Sequence, residues 1–208
     1  MAMSGHGKKL QEVSSPNLYH FTRTLENLKG ILSSKQFIVS RCKECYPFIQ
    51  PSLERDVPAV CFCDLPKGAR ANHKARYGYY AISFDKAWAN KHGICPVIYC
   101  RQYGRVSEYI REIYNSLVLD DNIRNGILNF CKPVRGYEYI KKDKCWSENM
   151  VKFLDEREWR YVPQNIELTP YLEFELSDIK NVYVENESDK QELQRWIPNS
   201  KIKILSRK

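Results

Sequence analysis

Several things are scarce or missing in this 208-residue chain, and each shortage removes a class of protein. No apolar run approaches the ~20 residues a membrane-spanning helix needs, so no membrane association is expected. Glycine is sparse, at nine residues, and neither G-x-G-x-x-G nor G-x-x-x-x-G-K-[ST] occurs. The phosphate-cradling loops of the common nucleotide folds are therefore absent. No internal repeat or low-complexity tract appears, which removes solenoids and disordered arrays. The segment up to Leu10 is polar and basic, without the apolar stretch of a secretory leader. Zinc sites need two pairs of ligands, and Cys42-Lys43-Glu44-Cys45 supplies one pair while His73 stands alone. No metal is expected.

Cysteine is not scarce: there are eight. A chain of this size with 43% hydrophobic residues builds a core without disulfide staples. Cys61, Cys63, Cys95 and Cys100 sit in apolar, strand-like runs and are expected to pack as small hydrophobes. Reduced thiols and a cytoplasmic location follow as expectations. Basic side chains outnumber acidic ones, 33 to 25, for a net charge of +8. That favours polyanion partners. One cluster holds Lys67, Arg70, His73, Lys74 and Arg76. A second holds Lys132, Arg135, Lys141, Lys142 and Lys144, interleaved with Tyr137, Tyr139 and Trp146. Cations among aromatic faces suit a single-stranded nucleic acid; a solvated basic surface is the alternative.

Residues 1–16 read as a flexible arm and 17–208 as one domain, with 105–150 as a helical, then basic and aromatic, insertion. Strands are expected at 18–22, 37–39, 58–63, 79–84, 95–100, 158–162, 171–176, 179–184 and 201–205. Helices are expected at 24–34, from Asp64 to Tyr77, at 85–92, 105–130 and 188–196. Residues 41–57 read as a long loop, a length usually reserved for function. Mixed strands and helices with a strand-rich end argue for an α+β fold.

Two places carry chemistry. In Leu18-Tyr19-His20-Phe21-Thr22, His20 and Thr22 share a strand face, and Thr24 caps a helix with an apolar stripe of Leu25, Leu28, Ile31 and Leu32. In Glu158-Trp159-Arg160-Tyr161, Glu158 and Arg160 share one strand face and Trp159 and Tyr161 the other. A carboxylate in a cleft stabilises an oxocarbenium-like carbon at a glycosidic bond. The competing reading is a surface ion-pair ladder of Glu158 with Arg157 or Arg160.

The chain resembles the AbiGi family of bacterial abortive-infection proteins. The resemblance runs through Tyr19-His20-Phe21-Thr22, Val57 to Pro66, Tyr77-Gly78, Pro96-Val97-Ile98-Tyr99, and Glu156 to Pro163. It is also similar, more patchily, to the DarT group of ADP-ribosyltransferase toxins, in its opening strand and in a Glu at the start of a late strand. The resemblance implies an ADP-ribosyltransferase-like split β-sandwich flanked by helices. It implies a phage-defence toxin that transfers ADP-ribose from NAD, with a cognate antitoxin as partner; the net charge and the basic, aromatic segment favour RNA or single-stranded DNA as acceptor, with protein acceptors left open. Glu158 would be catalytic. His20, Thr22 and Asn27 would hold NAD, Tyr77 or Tyr80 would stack on nicotinamide, and Lys67, Arg70 or Arg76 would reach the pyrophosphate. DarT proteins follow the central strand with Pro-Arg; here Asp64-Leu65-Pro66 stands instead, so the usual arginine has no counterpart. AbiGi proteins have also been described as antitoxins, which leaves a non-enzymatic, partner-binding reading open.

Overall fold

A computed structural model describes residues 14–66, 70–165, 167–198 and 201–206. The chain begins with β1 (Asn17–Thr22) and α1 (Leu25–Ser34), followed by β2 (Gln36–Ile38), β3 (Ser40–Tyr46) and the long β4 (Leu53–Cys63). Next come α2 (Arg70–Tyr77), β5 (Tyr80–Asp85), α3 (Lys86–Lys91), β6 (Cys95–Pro96) and β7 (Ile98–Cys100). The insertion holds α4 (Arg105–Asn115), α5 (Asp121–Asn129), β8 (Cys131–Pro133), β9 (Gly136–Ile140) and β10 (Cys145–Val151). A 3-10 turn (Phe153–Glu156) leads to β11 (Glu158–Tyr161), β12 (Tyr171–Glu173), β13 (Ile179–Val184), α6 (Glu187–Trp196) and β14 (Ile204–Ser206). The fold is α+β, as expected.

The main sheet runs β14-β13-β5-β1-β4-β11-β6, with β3 paired to β4. All its pairings are antiparallel except β13 with β14. Strand β4 serves two neighbourhoods. Its first half forms a ladder with β3, and its second half pairs with β11. Strands β1 and β4 share a single registered pair, Tyr19↔Cys63, and part elsewhere.

Local chemistry sets the helix starts. Thr24 Oγ1 accepts from the Asn27 N–H at 3.1 Å, and Leu25, Leu28 and Leu32 then fall on one buried stripe. Asp85 caps α3 by accepting from the Trp88 N–H at 2.7 Å. Gly78 has φ +104°, and a Cβ there would lie 2.2 Å from the Thr22 carbonyl oxygen, so only glycine joins α2 to β5 at this contact. The main core packs Leu18, Val60, Phe62, Ile82 and Phe84 under α1 and Trp88 of α3. A second core gathers Tyr46, Phe48, Val57, Leu128 and Cys131 beneath the insertion.

Some expectations fail for identifiable reasons. Residues 41–57 are mostly a β-hairpin rather than a loop, because the polar β3 pairs residue by residue with β4 from Ser40↔Ala59 to Tyr46↔Leu53. The 105–130 helix breaks into two. Ser116 turns extended, and Asp120 starts a new helix by accepting from the Asn122 N–H at 2.7 Å. Helix α2 is described from Arg70, and residues 64–66 are not helical as Asp64 predicts, because the Asp64 side chain is engaged elsewhere. It accepts from the Ser15 N–H at 2.6 Å, Ser14 Oγ at 2.8 Å and Lys86 Nζ at 2.7 Å. Ser14 and Ser15 are thereby tied down; the rest of the expected arm, 1–13, lies outside the described residues. Cys63 and Cys100 are buried, but Cys61 is half-buried and Cys95, on the edge strand β6, is exposed.

Candidate active site

Where β1 and β4 part, a cavity of about 350 Å³ opens, a size that suits a small-molecule ligand. It is walled by β1, β3, β4 and α2, with the β9–β10 hairpin along one side and the 3-10 turn and β11 beneath. By register, Glu158 and Tyr19 lie opposite Cys63 and so share one sheet face. His20 packs on Phe62, which belongs to the other face, at 5.7 Å between rings. Both line the same cavity because the strands between them diverge.

The floor is a buried charge network. Arg160 is fully buried, and its Nε donates to Glu158 Oε1 at 2.5 Å. Its other nitrogens donate to Glu44 and to the Asn129 carbonyl, the latter at 2.9 Å. Lys132, 7% exposed, donates to Glu158 Oε2 at 2.5 Å and to Glu156 Oε2 at 2.9 Å, with Glu44 at 3.9 Å. Glu156 Oε1 accepts from Arg76 Nη1 at 2.9 Å and from the Tyr77 hydroxyl at 2.6 Å. Arg76 also reaches Glu138 at 2.7 Å. Arg157, between the two glutamates, has φ +46°, and this left-handed residue turns the chain so that both carboxylates meet one lysine. Glu44, Glu156 and Glu158 thus face Lys132, Arg160 and Arg76, and Arg76 is shared with the partly exposed Glu138 at the rim.

Electrostatics follows from this arrangement. Burial alone would raise the Glu158 carboxyl, but Arg160 and Lys132 outweigh it and hold the group well below the usual carboxylate range. Burial would likewise lower Lys132 and Arg160, yet Glu158 and Glu44 hold both well above their ordinary values. Burial and then Glu156 push the Tyr77 hydroxyl up, so it stays a donor. Burial pushes both His20 and His73 down to about 4, leaving neutral rings. The His20 ring nitrogen Nδ1 lies 2.9 Å from the Cys61 carbonyl, which only accepts; Nδ1 therefore carries the proton and Nε2 is an acceptor. His73 packs between Phe21 (4.8 Å) and Tyr77 (4.4 Å). Cys42 and Cys61 share the cavity wall, and a hydrogen bond from the Cys61 thiol brings Cys42 down to about 6.

The cavity brings together Glu158, His20 and Tyr77 of the residues singled out in the sequence, with Arg76 bound to its floor through Glu156. Three others lie elsewhere. Thr22 ends β1 opposite Tyr80 and does not line the cavity. Asn27 is exposed, because the helical spacing that buries Leu25 and Leu28 turns position 27 outward. Tyr80 belongs to the main core, and its hydroxyl donates to Asp189 of α6 at 2.8 Å. Lys67 lies outside the described residues. Lys132, expected among solvent-facing cations, is instead inside the network. The surface ion-pair ladder is corrected too: Glu158 and Arg160 do pair, but both are buried. Trp159 and Tyr161 pack against the main core, as the alternation predicts. Cys42 and Cys45 are three apart on a strand and point to opposite faces. Among the described residues no group of His, Cys, Asp and Glu is arranged to hold a metal, and no helix is long and apolar enough to cross a membrane.

Glu44, Glu156, Lys132 and His73 line the cavity and Arg160 is buried behind Glu158; sequence reasoning assigned none of these five to the site. The chain is thus an α+β protein with a ligand-sized cavity over a buried array of paired carboxylates and cations. Residues 35–205 match the family described as abortive phage resistance protein AbiGi, antitoxin, and the chain belongs to that family. It is 31% identical over 152 residues to the abortive phage resistance protein AbiGi of Lactococcus lactis subsp. cremoris, a match covering 62% of this chain and 60% of that protein. The chain therefore matches less than two thirds of that relative's length. Among solved structures it is similar to Thermus sp. 2.9 DarT in complex with NAD+, at 12% identity and a TM-score of 0.43, over 92% of this chain and 95% of that one.

Proposed function

We propose that this chain is an ADP-ribosyltransferase that uses NAD and acts in defence against phage, with Glu158 as its catalytic carboxylate. The observation that carries this reading is the convergence of Glu158, His20 and Tyr77 on one cavity from three separated parts of the chain. The opening-strand and late-strand sequence resemblance to DarT proteins points the same way.

Chemistry follows from the groups present. Glu158 is ionised at neutral pH and sits at the cavity floor, where an anion stabilises positive charge developing at the ribose carbon as nicotinamide leaves. Each of its oxygens already accepts one hydrogen bond and keeps acceptor capacity for a ribose hydroxyl. Neutral His20 offers Nε2 to a second hydroxyl. Tyr77 supplies an aromatic ring held in place by Glu156. Arg76 is the cation available for the pyrophosphate, and its outer partner Glu138 is a partly exposed, displaceable pair. The structure gives Thr22, Asn27 and Tyr80 no comparable place. For the acceptor we propose a nucleic acid: Tyr137, Tyr139 and Lys141 of the β9–β10 hairpin line the cavity, and Arg135, Lys142 and Lys144 are exposed beside them.

A second reading rests on the family description, which includes the word antitoxin. In it the chain binds a partner protein and turns over no NAD. Incubation with labelled NAD and RNA, DNA or protein separates the two. Wild type transfers label and Glu158→Gln, still folded, does not. Full transfer by Glu158→Gln would remove this residue from the chemistry. No NAD consumption by wild type, with a tight protein complex, would establish the second reading.

A further inference from the structure

We propose that Lys132 is the positioning residue of this site: its ammonium holds Glu158 and Glu156 side by side and fixes the face that Glu158 presents to the cavity. Its kinetic consequence rests on the transferase reading; its structural consequence does not.

The geometry singles out Lys132. It is the one cation in contact with both Glu156 and Glu158 among the described residues. Its third carboxylate neighbour is Glu44. Lysine carries three donors, so the ammonium is matched to these acidic groups and has little left for a substrate phosphate. The stem is held in place as well: the ammonium lies 4.6 Å from the Phe153 ring centroid, and the backbone of β8 is locked beside β7. Arg160 fixes the other oxygen of Glu158 from within β11 itself. Glu158 is thus clamped by two cations from two elements, and only its remaining lone pairs face the cavity. Glu156 plays the complementary part. It takes Lys132 on one oxygen, and Arg76 and Tyr77 on the other, so it ties the floor to α2 and the cavity wall.

The groups facing Glu158 are Arg160 on its own strand, Lys132 from β8, Glu156 from the 3-10 turn, Cys42 and Cys61 from β3 and β4, and His73 from α2. Tyr99 of β7 accepts the Glu158 backbone N–H at 2.8 Å and fixes the main chain rather than the carboxylate. Removing Lys132 leaves Arg160 against both Glu158 and Glu44, and Arg76 against Glu156 but not the other two. Burial and two like charges then oppose ionisation of Glu158.

The test compares wild type with Lys132→Met, Lys132→Arg and Glu156→Gln. The Glu158 carboxyl signal is followed by carbon NMR across pH and assigned with Glu158→Gln. We expect Lys132→Met to move this titration from below the ordinary glutamate value to above it, and Lys132→Arg to keep it low. With NAD as substrate, Lys132→Met lowers kcat about 100-fold with little change in KM and moves the acid limb of the profile to higher pH. Glu156→Gln leaves Glu158 ionised yet lowers kcat, because Lys132 loses an anchor. If Lys132→Met does not fold, Glu156→Gln decides: unchanged kcat in that variant overturns the proposal. An unmoved Glu158 titration in a folded Lys132→Met also overturns it. If wild type turns over no NAD, the transferase reading fails, and the NMR titration alone judges Lys132.

Discussion

Replacing Arg160 by Met tests whether the buried network holds the fold as well as the site. Arg160 is fully buried and donates to Glu158, Glu44 and the Asn129 carbonyl. Methionine fills much of the volume but leaves two buried carboxylates with Lys132 as their shared cation. Breaking one partner out of a buried ion pair costs about 3–5 kcal/mol, since the remaining charge has neither water nor counter-ion. For a chain of this length that corresponds to a fall in Tm of about 6–20 °C. Adding Glu44→Gln to Arg160→Met removes one negative charge for the positive charge lost and restores the wild-type net charge of the network. The double variant is therefore expected to recover part of the loss, with a coupling of about 1–3 kcal/mol. Urea denaturation of wild type, both single variants and the double variant measures all four corners. A loss under about 1 kcal/mol in Arg160→Met, or strictly additive losses, would refute the idea that charge balance holds this floor.

The neutral histidines give the fold an acid-side slope. Unfolded, His20 and His73 titrate near 6.5; folded, burial holds both down to about 4, so below 6.5 the unfolded chain takes up protons that the fold refuses. Stability falls as pH drops from 6.5 to about 4, by at most about 1.4 kcal/mol per pH unit for each ring, and is unaffected by these rings above that window. Denaturation midpoints at pH 7.5, 6, 5 and 4.5 should show the slope in wild type and a flatter one in His20→Gln/His73→Gln; equal slopes would contradict it. Cys42 should react with iodoacetamide faster than the other seven free thiols, with a rate that rises through pH about 6, while Cys61, held up by burial and by Cys42, stays slow. Peptide mass mapping reads this directly, and faster labelling of the exposed Cys95 or Cys145 at pH 6 would count against it.

Local signals carried well into three dimensions. The Thr24 cap and the stripe of Leu25, Leu28 and Leu32 gave α1, Asp85 gave α3, and the alternation of Glu158 to Tyr161 gave β11 with its two faces in the right sense. What failed depends on pairs distant in sequence. β3 reads Ser-Arg-Cys-Lys-Glu-Cys-Tyr, without apolar alternation, because Cys42, Lys43 and Glu44 line the cavity. Lys132 sits in a basic run and looks solvated until Glu156 and Glu158 fold beneath it. Thr22 and Tyr80 look like site residues beside His20 and Tyr77, yet Thr22 ends β1 beyond the cavity and Tyr80, opposite it, packs into the main core. Where the strands part is not written in either strand alone.

That parting of the strands, closed below by β11, has a consequence for how the protein is made. Glu44 meets Arg160 across 116 positions, and Tyr77 meets Glu156 across 79. A ribosome releases the chain from its N-terminus onward, so β1, β3, β4 and α2 emerge well before the residues that floor the cavity. Until Arg160 is out, Glu44 has no guanidinium to meet and Glu158 has no strand to sit on. The charged floor of the cavity is therefore assembled only once β11 has been made.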